Sequence, residues 1–339
     1  MNKRTKSVIQ FVVLLGVGIL LTWLSLKSVW GERDKIVSSF QSADYFWVFI
    51  SVLISFFSHF LRAYRWNYLL KPAGYSVRPV NAMGAVLVGY FANYGLPRMG
   101  EITRCTLATR YDKVPFEVAL GTVITERIID TLLLLVIFVL TLFAQFSELS
   151  TLAADYIFTP LTQKVSAMSE NPAKLIVLIC ILAALVIGFF LVRKRISRML
   201  TGKFGNIIKG FGKGLSSVKD IEHKFRFIVL SVAIWASYFY SMYFCLKAFD
   251  GTSHLGHSAG LVLLLFGTFG VVFSPGGLGA YQAILTGLLI STYHVEKIPA
   301  VAMPWMSWTS QFILIVLLGI LSLIVLPIIN KNRTADVVS

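Results

Sequence analysis

Charge is scarce in this 339-residue chain: 14% of its residues are Asp, Glu, Lys or Arg, against 56% that are hydrophobic. That leaves too few polar groups to cover a water-soluble globule. Acidic residues are scarcer still, 16 against 31 Lys and Arg, for a formal charge of +15. In a soluble protein such a surplus points to nucleic acid. Here the basic residues lie in short segments between apolar runs, which assigns them to membrane topology and anionic lipid, so no nucleic acid is expected. The three cysteines, Cys105, Cys180 and Cys245, are far apart and lack any CxxC or Cys/His spacing. The five histidines, His59, His223, His254, His257 and His294, show no ligand spacing either. Neither a disulfide framework nor a metal site is supported, and no cofactor is expected. No P-loop, G-x-S-x-G elbow or Ser/His/Asp order occurs, so the chain is expected not to be an enzyme.

What remains is a series of apolar runs, each long enough to approach or cross a hydrocarbon core of roughly 30 Å, which takes about 20 helical residues. They do not alternate polar and apolar residues as barrel strands do, so they read as helices. The spacing predicts crossings over 8–26, 45–61, 116–144, 174–192, 227–246 and 299–329. Residues 27–44, where the charges balance, connect the first two. The apolar runs 80–94 and 258–273 are short, and each ends in a Pro/Gly break, at Gly95-Leu96-Pro97 and at Ser274-Pro275-Gly276-Gly277-Leu278-Gly279. Each reads as one arm of a re-entrant hairpin, the two entering from opposite faces. The expected fold is therefore an all-α polytopic membrane protein with about six spanning helices plus two broken helical hairpins, the pattern of an inverted repeat. Residues 1–330 form a single transmembrane domain, with a basic amphipathic cytoplasmic segment at 196–223 and a short cytoplasmic tail at 331–339. Both termini are expected on the cytoplasmic side of the cell membrane, because most basic residues then lie inside.

Four constellations stand out. In the first, Pro97-Arg98-Met99-Gly100-Glu101-Ile102-Thr103-Arg104, a helix starting after Pro97 exposes free backbone N–H groups beside Arg98 and Arg104. That combination stabilises a phosphate. In the second, Thr125-Glu126-Arg127-Ile128-Ile129-Asp130 places three ionisable groups inside an apolar helix, where they are costly unless they face a polar interior. Arg127 lies three residues before Asp130 and is expected to pair with it; a structural ion pair is the alternative to a functional site. In the third, the glycines of Pro275-Gly276-Gly277-Leu278-Gly279 permit positive φ, so the loop can turn its N–H groups toward a ligand. The fourth, Arg62-Ala63-Tyr64-Arg65-Trp66, reads as an anchor at the inner interface.

Arg65-Trp66, the stretch from Asn93 through Pro97 to Gly100-Glu101 and Arg104, Glu126-Arg127 with Asp130, and Pro275-Gly276-Gly277-Leu278-Gly279 together resemble the transmembrane region of lysylphosphatidylglycerol synthases. This is the flippase-like family also called UPF0104, and the resemblance spans nearly the whole chain. It implies that the matched region moves lipid between leaflets, while the cytosolic aminoacyl-transferase domain of the bifunctional members has no counterpart here. Where the family often carries an acidic residue after Pro-Gly-Gly, this chain has Gln282, which argues against a proton-linked role there.

The expected function is that of a lipid translocase, or a helper of one, with Arg98, Arg104 and Arg127 on a lipid phosphate and Glu101, Glu126 and Asp130 as supporting charges. Pro97, Gly100, Pro275, Gly276, Gly277 and Gly279 form the hairpin tips. The expected partners are an anionic or lipid-linked phosphate substrate and membrane lipids, with a second copy or a lipid-modifying enzyme as further candidates. The alternatives are a membrane-embedded enzyme acting on lipid-linked phosphate or sugar, and a non-transporting partner of lipid-modifying enzymes.

Overall fold

The computed structural model describes residues 16, 18–25, 27, 30–95, 99–144 and 221–331. The crossing expected at 174–192, nearly all of the basic segment 196–223, residues 96–98 and the tail beyond 331 lie outside the described residues, as does most of the first crossing. All regular structure among the described residues is helical, and the chain is an all-α polytopic membrane protein.

A 3-10 turn, Trp30–Glu32, leads into α1, Arg33–Gln41. No apolar run marks this helix in the sequence, because it is amphiphilic and polar. Local contacts support it instead: Lys35 pairs with Glu32 one turn back, and the Ser38 hydroxyl donates to Asp34 O at 2.9 Å. α2 spans Tyr45–Leu70, its first turn capped by Asp44, whose carboxylate accepts from Phe46 N at 3.0 Å. It runs well past the expected end at residue 61 and stops only at the 3-10 turn Lys71–Ala73 and at Gly74, whose φ of +87° closes the helix in the left-handed region. The remaining helices are α3, Pro79–Gly95; α4, Met99–Asp112; α5, Phe116–Ala144; and α6, Lys224–Lys247. A single helical turn, Asp250–Ser253, then precedes α7, His257–Phe273, α8, Ala280–Ser291, and α9, Lys297–Ile329. Three of these, α2, α6 and α9, are long and apolar enough to cross a membrane. The outer half of α5 is apolar as well, with Leu132, Leu135, Leu140 and Phe143 on the surface, as lipid contact requires.

The bundle has two distinct ends. At one, Asn67 near the end of α2 holds Val77 through both its amide groups, Asp112 at the end of α4 accepts from Asn81 on α3, and Asn330 after α9 donates to Asn81 Oδ1 at 2.9 Å. At the other, Asp44 N donates to Ala248 O at 2.8 Å, joining the start of α2 to the end of α6, and Gly251 packs on Pro299 at the start of α9. The α3–α4 hairpin therefore enters from the first end and the α7–α8 hairpin from the second.

Glycine shapes both hairpins. In the first, Gly89 and Gly100 let the arms touch, since a Cβ on Gly89 lies 2.9 Å from Gly100 O. In the second, α7 ends at Phe273 and a 3-10 turn, Pro275–Gly277, with Gly276 at φ +61° and Gly277 at +81°, returns the chain to α8. The two tips meet: the Tyr94 ring at the end of α3 packs on Gly276, and Trp308 of α9 donates to Gly276 O at 2.8 Å.

Candidate functional site

Between α2, α4, α5 and α6 lies a buried group of charges. Its floor is set by helix periodicity. On α2, Ser51, Ser55, Ser58, Arg62 and Arg65 recur every three or four residues and are all buried. On α5, Thr122, Glu126 and Asp130 recur every four and are buried too. The two polar stripes face each other within an otherwise apolar bundle. Counting eight residues back from Leu70 puts Arg62 about 12 Å inside the end of α2.

Arg62, 3% exposed, donates through Nη1 to Glu126 Oε1 and to Asp130 Oδ2, the latter at 2.8 Å. Its Nε and Nη2 both reach the Tyr238 hydroxyl of α6, at 3.2 and 3.0 Å. Arg65, fully buried, donates through Nη2 to Asp130 Oδ1 at 2.8 Å and through Nη1 to Ser231 Oγ at 2.8 Å, and its Nη2 lies 3.3 Å from Glu126 Oε1. From α4, Arg104 places Nη2 3.0 Å from Glu126 Oε2 and lays its guanidinium over the Trp66 ring at 4.0 Å. Trp66 is itself pinned by Nε1 donating to Thr122 Oγ1 at 3.0 Å. Arg127 Nε stands 3.6 Å from Glu101 Oε1, with the two side chains 43% and 25% exposed.

The group is thus two subsets with different properties. Arg62, Arg65, Glu126 and Asp130 are interlocked through short contacts and closed to the surroundings. Atoms without a hydrogen-bond partner occur in both, at Arg65 Nε and Glu126 Oε2 as at Arg104 Nε, Arg127 Nε and Glu101 Oε2; what sets Arg104, Arg127 and Glu101 apart is the long, partly exposed Arg127–Glu101 pair. They line a small cavity of about 20 Å³ together with Arg62, Tyr90, Asn93 and Gly100, room for one water-sized group. Among the described residues the group holds four guanidinium groups, Arg62, Arg65, Arg104 and Arg127, against three carboxylates, Glu101, Glu126 and Asp130. One positive charge is left over in a medium of low dielectric, where it attracts an anion strongly.

The structure brings together Arg104, Arg127, Glu101, Glu126 and Asp130 as the sequence expected, while Arg98 and Pro97 lie outside the described residues. Three expectations are corrected. Asp130 does not pair with Arg127: both its oxygens are held by arginines of α2, and Arg127 pairs with Glu101 across to α4. Arg62 and Arg65 are no interface anchors but the most buried cations of the group, because α2 continues through them. Four of the N–H groups foreseen for a ligand at the glycine loop and the α4 start are engaged within the protein. Gly277 N and Leu278 N bond back to Ser274 O and Pro275 O, Gly279 N to Gln282 Oε1, and Gly100 N to Asn93 Oδ1 at 2.7 Å. Gln282 accordingly serves as an internal cap of the second tip.

Residues 8–319 match the family of the lysylphosphatidylglycerol synthase transmembrane region. A UPF0104 membrane protein of Methanocaldococcus jannaschii is 23% identical over 342 aligned residues, which cover 96% of each chain. No solved structure matches. With the match running from the first crossing into α9, the chain belongs to the lysylphosphatidylglycerol synthase transmembrane-region family.

Proposed function

We propose that this protein is a flippase-like lipid translocase that binds the phosphate of a membrane lipid at the Arg104 and Arg127 side of the charge group. The observation that carries the reading is the surplus positive charge at the cavity beside the tip of the α3–α4 hairpin, close to where the second hairpin's tip meets it. Buried ions in a membrane interior are expensive and persist where they contact a substrate or one another. Arg62 and Arg65 hold Glu126 and Asp130 in place, and Glu126 in turn orients Arg104 toward the cavity. Arg98, three residues before Glu101 in sequence, adds a third arginine to this reading. Two broken hairpins entering from opposite ends supply a site that either side can reach when one tip withdraws.

The end formed by Lys71, Arg78, Arg110, Lys113, Lys224 and Arg226 carries the basic excess. At the opposite end Arg33, Lys35 and Lys297 are outnumbered by Glu32, Asp34, Asp250 and Glu296. By the positive-inside rule we assign the first end to the cytoplasmic side of the cell membrane. The sequence carries no nucleotide-binding loop, so translocation is passive or driven by an ion gradient or a partner.

The test is transport by the purified protein in liposomes, read as loss of outer-leaflet fluorescence when dithionite quenches labelled phospholipid. Faster exchange with protein than with empty liposomes, abolished in Arg104→Gln, is expected. Exchange equal to that of empty liposomes, from protein shown to be folded and inserted, overturns the translocase.

A further inference from the structure

We propose that Glu101 is a displaceable counter-ion, which leaves Arg127 when a phosphomonoester dianion enters the cavity. This rests on the phosphate-binding role given above to Arg104 and Arg127.

The carboxylates of the group differ sharply in how they are held. Glu126 is fully buried and lies within reach of Arg62, Arg65 and Arg104, so removing it breaks three ion pairs at once. Asp130 is fixed by two short bonds of 2.8 Å. Glu101 has a single partner at 3.6 Å, its second oxygen accepts nothing, and a quarter of its side chain is exposed, which leaves it a way out. This is the longest ion pair in the set, and Glu101 lines the cavity one helical turn from Arg104 on the same face of α4.

Space requires this departure. A cavity of about 20 Å³ accepts one water-sized group, whereas a phosphoryl group brings three or four oxygens. Moving the Glu101 carboxylate outward frees the volume beside Arg127, next to the unpartnered Nε of Arg104. Charge then selects the ligand. With Glu101 withdrawn, four arginines face only Glu126 and Asp130, a surplus of two. A phosphomonoester, carrying close to two negative charges at neutral pH, restores balance, and a phosphodiester, with one, does not. Arg104 and Arg127 approach from different helices, so the ligand also tightens the α4–α5 contact that the Glu101 pair had provided.

The experiment measures binding of dioctanoyl phosphatidate, dioctanoyl phosphatidylglycerol and inorganic phosphate to the full-length protein in detergent by calorimetry. The wild type is compared with Glu101→Gln, Glu101→Asp and Arg127→Gln, each checked by its melting curve. Phosphatidate is expected to bind at least about tenfold more tightly than phosphatidylglycerol. Glu101→Gln is expected to bind phosphatidate about three- to tenfold more tightly than wild type, with Glu101→Asp between them, since a competing surface-accessible pair of modest strength has been removed or loosened. Wild-type affinity in both Glu101 variants, with Arg127→Gln still impaired, overturns displacement and leaves phosphate binding standing. Equal affinity for the two lipids overturns the dianion assignment. Inorganic phosphate binding as tightly as phosphatidate marks a free-ion site and overturns the lipid substrate. Absence of binding to the folded wild type and variants alike removes the phosphate site itself.

Discussion

The ring of Tyr94, at the last turn of α3, lies against Gly276, at the tip of the opposing hairpin, so closely that a Cβ on Gly276 overlaps it. Gly276 also sits at φ +61°, where a side chain is strained whatever the space. The meeting of the two tips therefore depends on one residue having no side chain.

Gly276→Ala tests both demands. Forcing an alanine into the left-handed region and against the ring is expected to cost about 1–3 kcal/mol, read as a lowered melting temperature in detergent. Adding Tyr94→Ala removes the overlap but not the φ strain, so only part of the loss should return. Full recovery would assign the whole effect to sterics.

Asp130 accepts from Arg62 and Arg65 together. Asp130→Asn leaves these arginines to Glu126 alone and is expected to destabilise the protein by about 3–5 kcal/mol, as removal of one partner from a buried ionic group does. Combining it with Arg65→Met withdraws one of the stranded cations and should restore a substantial part of the loss. A double variant no more stable than Asp130→Asn alone would show that Arg65 contributes by packing, not charge.

The sequence made the hairpins legible because proline and glycine break helices by covalent geometry, independent of what surrounds them. The first arm of the second hairpin, expected over 258–273, runs over His257–Phe273. Arg62 and Arg65 were misread for an equally physical reason. An apolar run long enough to cross had already ended, and cations at that position normally mark the interface. The contrary signal was present in the stripe Ser51, Ser55, Ser58, Arg62, Arg65, which shares one helical face and requires a polar partner. Asp130 was paired with Arg127 because three residues apart is within reach on one helix. That inference could not see α2 arriving with two guanidinium groups, since such long-range partners have no spacing to read. The capping of Gly100 N by Asn93 is a second case: both residues are in the resemblance, but only the closed hairpin shows them bonded.

At the basic end, Asn330 Nδ2 donates to Asn81 Oδ1 at 2.9 Å and to Leu326 O at 2.8 Å, tying α9 to the first hairpin. Asn330→Ala should cost about 1–2 kcal/mol through the lost bonds and the Asn81 Oδ1 left without its donor. Accessibility of a cysteine introduced at Ala82, buried under this contact, is expected to rise in parallel. Unchanged labelling would mean that apolar packing alone holds that end closed.

Arg127 and Arg65 give the sharpest contrast, because the structure assigns them opposite roles although both are arginines inside membrane helices. Arg65 is fully buried and bonded on two sides, so Arg65→Gln should unfold or strongly destabilise the protein, with any loss of lipid binding following from that. Arg127 has one ion pair at 3.6 Å and is close to half exposed, and pairs of that kind contribute about 0–1 kcal/mol. Arg127→Gln should therefore melt within a few degrees of wild type and yet lose at least about tenfold in affinity for a phosphate-bearing lipid. Arg127→Lys should recover only part of that affinity, because an ammonium cannot offer two parallel donors to a phosphate. Adding Asp130→Asn should bring nothing back, since Asp130 does not touch Arg127. Melting curves and lipid titrations on these four proteins separate the roles. A folded Arg127→Gln protein with wild-type affinity would leave Arg127 as a structural residue and pass the phosphate site to Arg104.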